Sequence, residues 1–356
     1  MFADVFSSRC IESSEVIQLF KRMITGFLAA FCLLLLILDT KTSIIGAAEG
    51  IDMCIRVLIP SLFPFFIISV LLTDLLASLS ASILRPLGKL LRIPTGSEAF
   101  VLIGMLGGYP VGAQTICQAH EHGILRTKDA KRMLGFCSNV GPAFLFGVVA
   151  PQFPDPVYTW VLWEILILSV LLTGLLLPGA STYPVSMQNK SAITLSQAME
   201  RSLKIIASVC GWAVIFRVIL AFFERWFLWM APKAVTIAIN LMLELTNGCI
   251  MLDQIDNVCL RFVMCAAGLS FGGLCVTAQT RSVAGDLGTG MYLPGKLLQT
   301  GIIILLAVPI GFLMDCGFPR TVIAAILLGI MLIFMFVSFF RKNQKNKYGN
   351  ILPASV

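Results

Sequence analysis

The chain contains 356 residues, of which 58% are hydrophobic and 13% charged, and its formal net charge is +7. Soluble globular domains carry roughly 25% charged residues, so this composition excludes a soluble enzyme, a nucleic-acid-binding protein and a disordered scaffold. It predicts an all-α polytopic membrane protein embedded in a lipid bilayer, whose basic residues set its orientation.

Ten apolar stretches approach the length of about 20 residues that a membrane-spanning helix needs. In chain order these predicted segments lie at 22–39, 54–76, 99–117, 135–150, 157–177, 204–222, 234–252, 258–280, 296–314 and 320–340.

Three of these segments contain residues that interrupt helices. Pro60 and Pro64 lie in the second segment, Pro110 follows several glycines in the third, and Asn139 and Pro142 lie in the fourth. Irregular backbone at membrane depth is tolerated only where it is buried in protein or lines a cavity. The interrupted segments therefore indicate an internal site.

Basic clusters predict the topology, because Lys and Arg concentrate in cytoplasmic loops. All clusters, and both termini, are cytoplasmic if 99–134 re-enters the membrane without crossing it. The clusters lie at 21–22, 85–92, 126–132, 190–204 and 341–347. The predicted organisation is an N-terminal anchor helix (1–41), a first membrane repeat (42–177), a cytoplasmic linker (178–199), a second membrane repeat (200–340) and a basic cytoplasmic tail (341–356).

An internal sequence repeat supports the division of the chain into two membrane repeats. Residues 107–115 read GGYPVGAQT and residues 272–280 read GGLCVTAQT, and the two agree at six of nine positions at a spacing of 165 residues. Gly/Pro-interrupted segments at corresponding positions of two halves are the sequence pattern of a secondary transporter's binding site. The pattern predicts two inverted repeats with broken helices or re-entrant hairpins.

Polar residues beside the interruptions are the candidate site. Helix ends at a break leave unpaired N–H groups and a positive dipole end, which suit an anionic substrate. Glu244, inside an apolar segment, is a candidate for binding a cation or proton, because a charge at membrane depth is costly. The alternatives are polar contacts between helices and a paired or interfacial Glu244. The predicted substrate-binding residues are Gln114, Thr115, Asn139, Thr246, Asn247, Gln279 and Thr280.

Five motifs together resemble the YlbJ family of sporulation integral membrane proteins, which carry a nucleoside-recognition (Gate) domain. The resemblance runs from about residue 45 to residue 340. The motifs are IPSLFPFF (59–66), GGYPVGAQT (107–115), FCSNVGPAF (136–144), LELTNG (243–248) and FGGLCVTAQT (271–280).

The resemblance implies a fold similar to concentrative nucleoside transporters, with re-entrant hairpins and broken helices around a midplane site. It also implies a role in late spore formation, moving dipicolinic acid out of the mother cell across the outer forespore membrane. No cofactor is expected beyond a coupling Na+ or H+. A nucleoside or nucleobase permease and a non-transporting sporulation assembly factor are the alternatives.

Two further expectations concern chemistry. An enzyme is not expected, because the chain contains no HExxH, GxSxG or Walker-type motif. Arg56 and Arg217 are predicted to be the only basic residues deep in helices, where they either supply charge to an anionic substrate or extend to the membrane surface.

Overall fold

The computed structural model describes residues 23–24, 26–27, 29–78, 84–179, 183–185, 193–330 and 332. The predicted basic tail, the first basic cluster at 21–22 and residues 180–182 and 186–192 of the predicted linker lie outside these residues. Throughout the described part, regular secondary structure is helical apart from one isolated β-bridge.

The described helices match the predicted all-α class. They are α1 (Ala29–Leu38), α2 (Thr40–Met53), α3 (Ile59–Ser78), α4 (Arg85–Leu91), α5 (Glu98–Leu106), α6 (Val111–Glu121), α7 (Thr127–Cys137), α8 (Pro142–Phe144), α9 (Pro156–Leu176), α10 (Leu195–Trp226), α11 (Lys233–Leu243), α12 (Leu245–Ile250), α13 (Val258–Phe271), α14 (Gly273–Ala284), α15 (Tyr292–Asp315) and α16 (Arg320–Ile330).

Six helical stretches of the described chain are long and apolar enough to cross a membrane. They are Thr40–Leu71, Thr127–Gln152, Pro156–Leu176, Leu195–Trp226, Val258–Leu287 and Tyr292–Asp315. The membrane character predicted from composition is therefore confirmed, although several predicted segments have different bounds.

Two spans begin well before the predicted segments. The predicted segment 54–76 is the second part of a longer helical stretch, because a π-helical turn at Cys54–Leu58 joins α2 to α3 without a break. The predicted segment 204–222 lies within α10, which begins at Leu195. There the Thr194 hydroxyl accepts a hydrogen bond from the backbone N–H of Gln197, and the side-chain oxygen of Gln197 accepts one from the backbone N–H of Thr194. This capping box fixes the helix start.

The predicted re-entrant segment 99–117 is a hairpin of two short helices, α5 and α6, which we call the first hairpin. A methyl group added to Gly112 would lie 3.0 Å from the Cα of Gly104, so the two helices fold back into backbone contact. A methyl group on Gly104 would lie 1.8 Å from the carbonyl oxygen of Cys137. Glycine at these positions lets the hairpin lie directly on α7.

The sequence predicts a single span over 234–252, and this prediction is wrong. The helix ends at Leu243, Glu244 adopts an extended conformation, and α12 folds back on α11 to form what we call the second hairpin. A methyl group on Gly248 would lie 2.4 Å from the amide nitrogen of Leu241, which shows how closely the two helices approach.

Each hairpin is followed by an apolar helix with an internal break. The first break, at 138–141, separates α7 from α8. The second break, at 272–273, separates α13 from α14 and has both glycines at positive φ. Glycine adopts such a conformation without steric cost. The chain thus contains, twice, a hairpin followed by an interrupted helix.

The turn of each hairpin, its tip, lies against the break of the helix that follows it. A methyl group on Gly141 would lie 2.9 Å from the Cα of Gly108 in the first tip. A methyl group on Gly273 would lie 3.5 Å from the carbonyl oxygen of Leu243 in the second tip. Four irregular stretches of backbone are thereby buried in the interior.

The two copies of the nine-residue motif lie in different structural elements. The first copy forms the tip of the first hairpin and the start of α6, whereas the second copy forms the second break and the start of α14. Helices α6 and α14 pack against each other, so the copies do meet. In the order of elements, however, the first hairpin corresponds to the second hairpin. Their tips are fewer than 165 residues apart in the sequence. The inverted relation between the halves stays a prediction.

Helix α15 is central to the packing and contacts α7, α9 and α13. Helix α10 packs against α2 and α3 on the other flank. Part of the predicted linker also contacts the body, since the Thr95 amide donates to the carbonyl of Tyr183 and the Val185 amide donates to the carbonyl of Thr95.

Substituting Gly104 by Ala should destabilise the protein by about 1–3 kcal/mol, because the added methyl group has no room beside the Cys137 carbonyl. The matched control is Gly211→Ala in α10, where nothing lies within 4 Å of the added methyl group. That change should be neutral or stabilise by up to about 1 kcal/mol. Thermal unfolding of the purified protein in detergent measures both, and equal shifts would contradict the close contact.

Candidate substrate-binding site

A cavity of about 50 Å³ lies where the two hairpin tips meet the two breaks. Its polar lining side chains are Tyr109 of the first tip, Glu244 and Thr246 of the second hairpin, and Gln279 of α14. Apolar side chains of α3, α8, α10 and α14 complete the walls, among them Leu62, Phe66, Phe144, Val209 and Val276.

The cavity is small for the substrate that the sequence predicts. A volume of about 50 Å³ holds only a few water molecules, whereas small-molecule sites usually measure about 300–1,000 Å³. Admitting a planar aromatic acid would therefore require the residues that line the cavity to move apart.

Glu244 forms the tip of the second hairpin and is buried. Its Oε1 accepts a hydrogen bond from the Thr246 amide at 3.1 Å, and its Oε2 accepts one from the Asn247 amide at 2.6 Å. The carboxylate thus caps the start of α12.

Thr246 and Asn247 lie in the first turn of α12, and the unwound position is Glu244 itself. Thr246 is buried and lines the cavity. The Asn247 side chain donates instead to the Oδ1 of Asn240 at 2.5 Å, which links the two helices of the hairpin.

The two Gln-Thr pairs lie on the packed helices α6 and α14, but only Gln279 is among the lining residues. Gln279 is buried and its Nε2 contacts the sulfur of Cys275 at 3.4 Å, a weak acceptor. Thr280 is fully buried and faces Tyr292 of α15. Gln114 and Thr115 are half-buried, and the Thr115 hydroxyl donates to the carbonyl of Val111.

Asn139 lies in the first break and is buried. Its Nδ2 donates to the Phe136 carbonyl at 2.7 Å, and its Oδ1 accepts a hydrogen bond from Lys296 at 3.0 Å. The side chain therefore links the first break to α15, while its neighbours Val140 and Gly141 line the cavity.

The sequence analysis missed Lys296, which is fully buried in α15. Its Nζ donates to Asn139 and to the Oε1 of Gln299 at 3.0 Å, and it lies 5.0 Å from the centre of the Tyr109 ring. The predicted segment 296–314 put Lys296 at a membrane edge, whereas α15 begins at Tyr292. The signal that was available is the spacing of Lys296 and Gln299, which places two polar residues on one face of an apolar helix.

The prediction that Arg56 and Arg217 are the only deep basic residues is wrong, because Lys296 and Arg132 are also buried. It holds for Arg217, whose side chain is only 12% exposed. The Arg56 side chain is 76% exposed and pairs with Asp52. Arg217 pairs with both Glu49 and Glu224, which neutralise it. Neither arginine lines the cavity.

A different arginine is buried. The guanidinium of Arg132 donates to main-chain carbonyls at the end of α4 and near the end of α9, those of Leu91 and Gly174. Arg132 belongs to the basic cluster at 126–132, so one member of that predicted loop cluster serves to close helix ends rather than to face solvent.

No family model and no solved structure matches the chain. A segment of 135 residues is 33% identical to the sporulation integral membrane protein YlbJ of Bacillus subtilis (strain 168). The chain is a distant homologue of YlbJ. The aligned segment covers 36% of this chain and 33% of the length of YlbJ, and within that segment it confirms a resemblance to YlbJ.

Replacing Glu244 by Gln should lower the free energy of unfolding by about 1–3 kcal/mol, because the amide keeps one acceptor and leaves one buried backbone N–H unpaired. Thermal unfolding in detergent measures the change. The control is Glu200→Gln, whose exposed side chain pairs only with Lys204 and whose loss should not change the unfolding temperature. An E244Q protein as stable as the wild type would show that the carboxylate does not hold the tip.

Proposed function

We propose that this chain is a secondary transporter that moves a small anionic aromatic metabolite, specifically dipicolinic acid across the outer forespore membrane during sporulation. In this proposal the two hairpin-and-broken-helix units are inverted repeats of a Gate-like domain. Both termini face the cytoplasm, and H+ or Na+ couples to transport.

The observation that carries the proposal is the position of the cavity. It lies at the junction of two hairpin tips and two helix breaks, in the interior of a protein whose described residues include six candidate spans. Interrupted helices in corresponding places of two halves are the setting of substrate sites in secondary transporters.

The lining suits a planar acid. Aromatic and aliphatic side chains, among them Phe66 and Phe144, provide surfaces for a ring, while Tyr109, Thr246 and Gln279 provide hydrogen-bond donors. Dipicolinate has a flat ring with two carboxylates, so it uses both kinds of surface.

Glu244 offers a route for coupling. Its two carboxylate oxygens hold the first two amides of α12. Protonation replaces one acceptor by a donor, so it weakens the cap and loosens the second tip. Binding of a proton or a cation at Glu244 would then bias the hairpin between closed and open positions.

A nucleoside or nucleobase permease is the second candidate. Gln279 and Thr246 carry neutral donors and acceptors that match the edge of a base. The non-transporting assembly factor predicts a cavity that needs no substrate.

Uptake into liposomes containing the purified full-length chain tests the proposal. We expect accumulation of dipicolinate, with little uptake of uridine or uracil. Gln279→Ala should weaken binding by about 1–3 kcal/mol, because a buried partner of the substrate is lost. E244Q should abolish or uncouple transport while the protein still inserts. Gln118→Ala, an exposed position of α6, is the control and should leave uptake unchanged.

The opposing outcomes are distinct. Uptake of nucleoside but not dipicolinate would favour the permease. No uptake of either, together with normal sporulation in cells producing the Q279A and E244Q proteins, would favour the assembly factor. Dipicolinate uptake that is unaffected by both substitutions would show that the substrate site is not this cavity.

A further inference from the structure

The environment of Lys296 is unusual for a lysine in a membrane protein. The side chain is fully buried in the middle of the helical body. Buried charges in proteins are normally paired with an opposite charge, and lysines in membrane helices normally extend to the surface. Lys296 takes part in no ion pair among the described residues.

The groups that face the ammonium are all neutral. Gln299 of α15 and Asn139 of the first break provide the two oxygen acceptors. Tyr109 of the first tip presents its ring face. Gln299 is itself held by the hydroxyl of Ser169 in α9, at 3.2 Å. Two amide oxygens and a ring stabilise a buried ammonium less than a carboxylate does.

Only one layer of residues separates this ammonium from the cavity. Tyr109 contacts Lys296 on one side and lines the cavity on the other. Asn139 holds Lys296 and directly precedes Val140 and Gly141, which line the same cavity. Movement of the first tip away from α15 would uncover the ammonium.

We propose that Lys296 is the cation that selects an anionic substrate, and that Tyr109 and Asn139 cover it until the first tip moves. The inference rests on the proposed function and assigns the charge recognition that the function requires. A substrate carboxylate then replaces the Asn139 amide oxygen on the ammonium. Glu244 at the second tip repels the same carboxylate, so the anionic end of the substrate faces Lys296.

The first test compares a charged ligand with an uncharged one of the same shape. Dipicolinate and its dicarboxamide are titrated calorimetrically into the full-length chain in detergent. Lys296→Met should lower dipicolinate affinity by about 30-fold or more, as loss of one partner of a buried charge pair does, and leave dicarboxamide affinity unchanged. Lys233→Met, at the exposed start of α11, is the control and should change neither.

A second variant tests the proposal even if the K296M protein does not fold. Asn139→Asp keeps the size of the side chain and places a carboxylate against the ammonium, so Lys296 gains a partner within the protein. The unfolding temperature is measured alongside, because the ion pair gained with Lys296 is offset by loss of the hydrogen bond from Nδ2 to the Phe136 carbonyl. Dipicolinate affinity should fall by a similar factor, because the internal carboxylate competes for the same cation, and dicarboxamide affinity should again be unchanged.

The outcomes separate the two proposals. Wild-type protein that does not bind dipicolinate would overturn the proposed function and this inference together. Wild-type protein that binds dipicolinate, with unchanged affinity in N139D and in folded K296M, would overturn only the role of Lys296. An equal loss of both ligands in N139D would also overturn it, because that result indicates disruption of packing rather than loss of charge recognition.

Discussion

The direct contact of each hairpin tip with the break of the following helix is the constraint on which the rest of the structure depends. Backbone N–H and C=O groups freed by a break find no water in the hydrocarbon core, so they must be buried against protein. Here two tips and two breaks shield one another. The cavity exists because four irregular segments converge there, and its polar character follows from that convergence.

The same requirement explains which groups the buried charged side chains contact. Glu244 closes the start of α12, and Arg132 closes the ends of α4 and α9, so both act on helix ends that lack partners. Arg217 is balanced by two carboxylates. Lys296 differs from these residues because the groups around it are neutral, and it lies next to the cavity.

The sequence predicts three interruptions correctly, but the one expected at Pro60 and Pro64 does not occur, because α3 runs from Ile59 to Ser78 through both prolines. The tip at Pro110 and the breaks beside Asn139 and at Gly272 all follow from residue types whose backbone preferences are known. The second hairpin was missed because its turning residue is Glu244, which carries no turn signal. Its turn is stabilised by a side-chain cap, and such a cap is recognised only once the fold brings the helix start to it.

Only some of the predicted site residues line the cavity. Glu244, Thr246 and Gln279 line the cavity as polar residues beside breaks should. Asn139 and Asn247 point instead to protein partners, because the choice between cavity and helix depends on side-chain direction, which spacing alone does not determine. Lys296 was missed because a hydropathy boundary placed it at the membrane edge, whereas α15 begins a turn earlier, at Tyr292, and Lys296 lies on its buried face.

The close approach at Gly104 and Gly248 bears on how relatives of this chain can diverge. A side chain at either position would overlap main-chain atoms, so no neighbouring substitution can make room for it. The aliphatic walls of the cavity, by contrast, can exchange Leu, Val and Phe and reshape what fits inside. As such proteins diverge, their overall sequence identity would fall while these glycines are retained. Substitutions in the cavity walls would change the preferred ligand without changing the backbone.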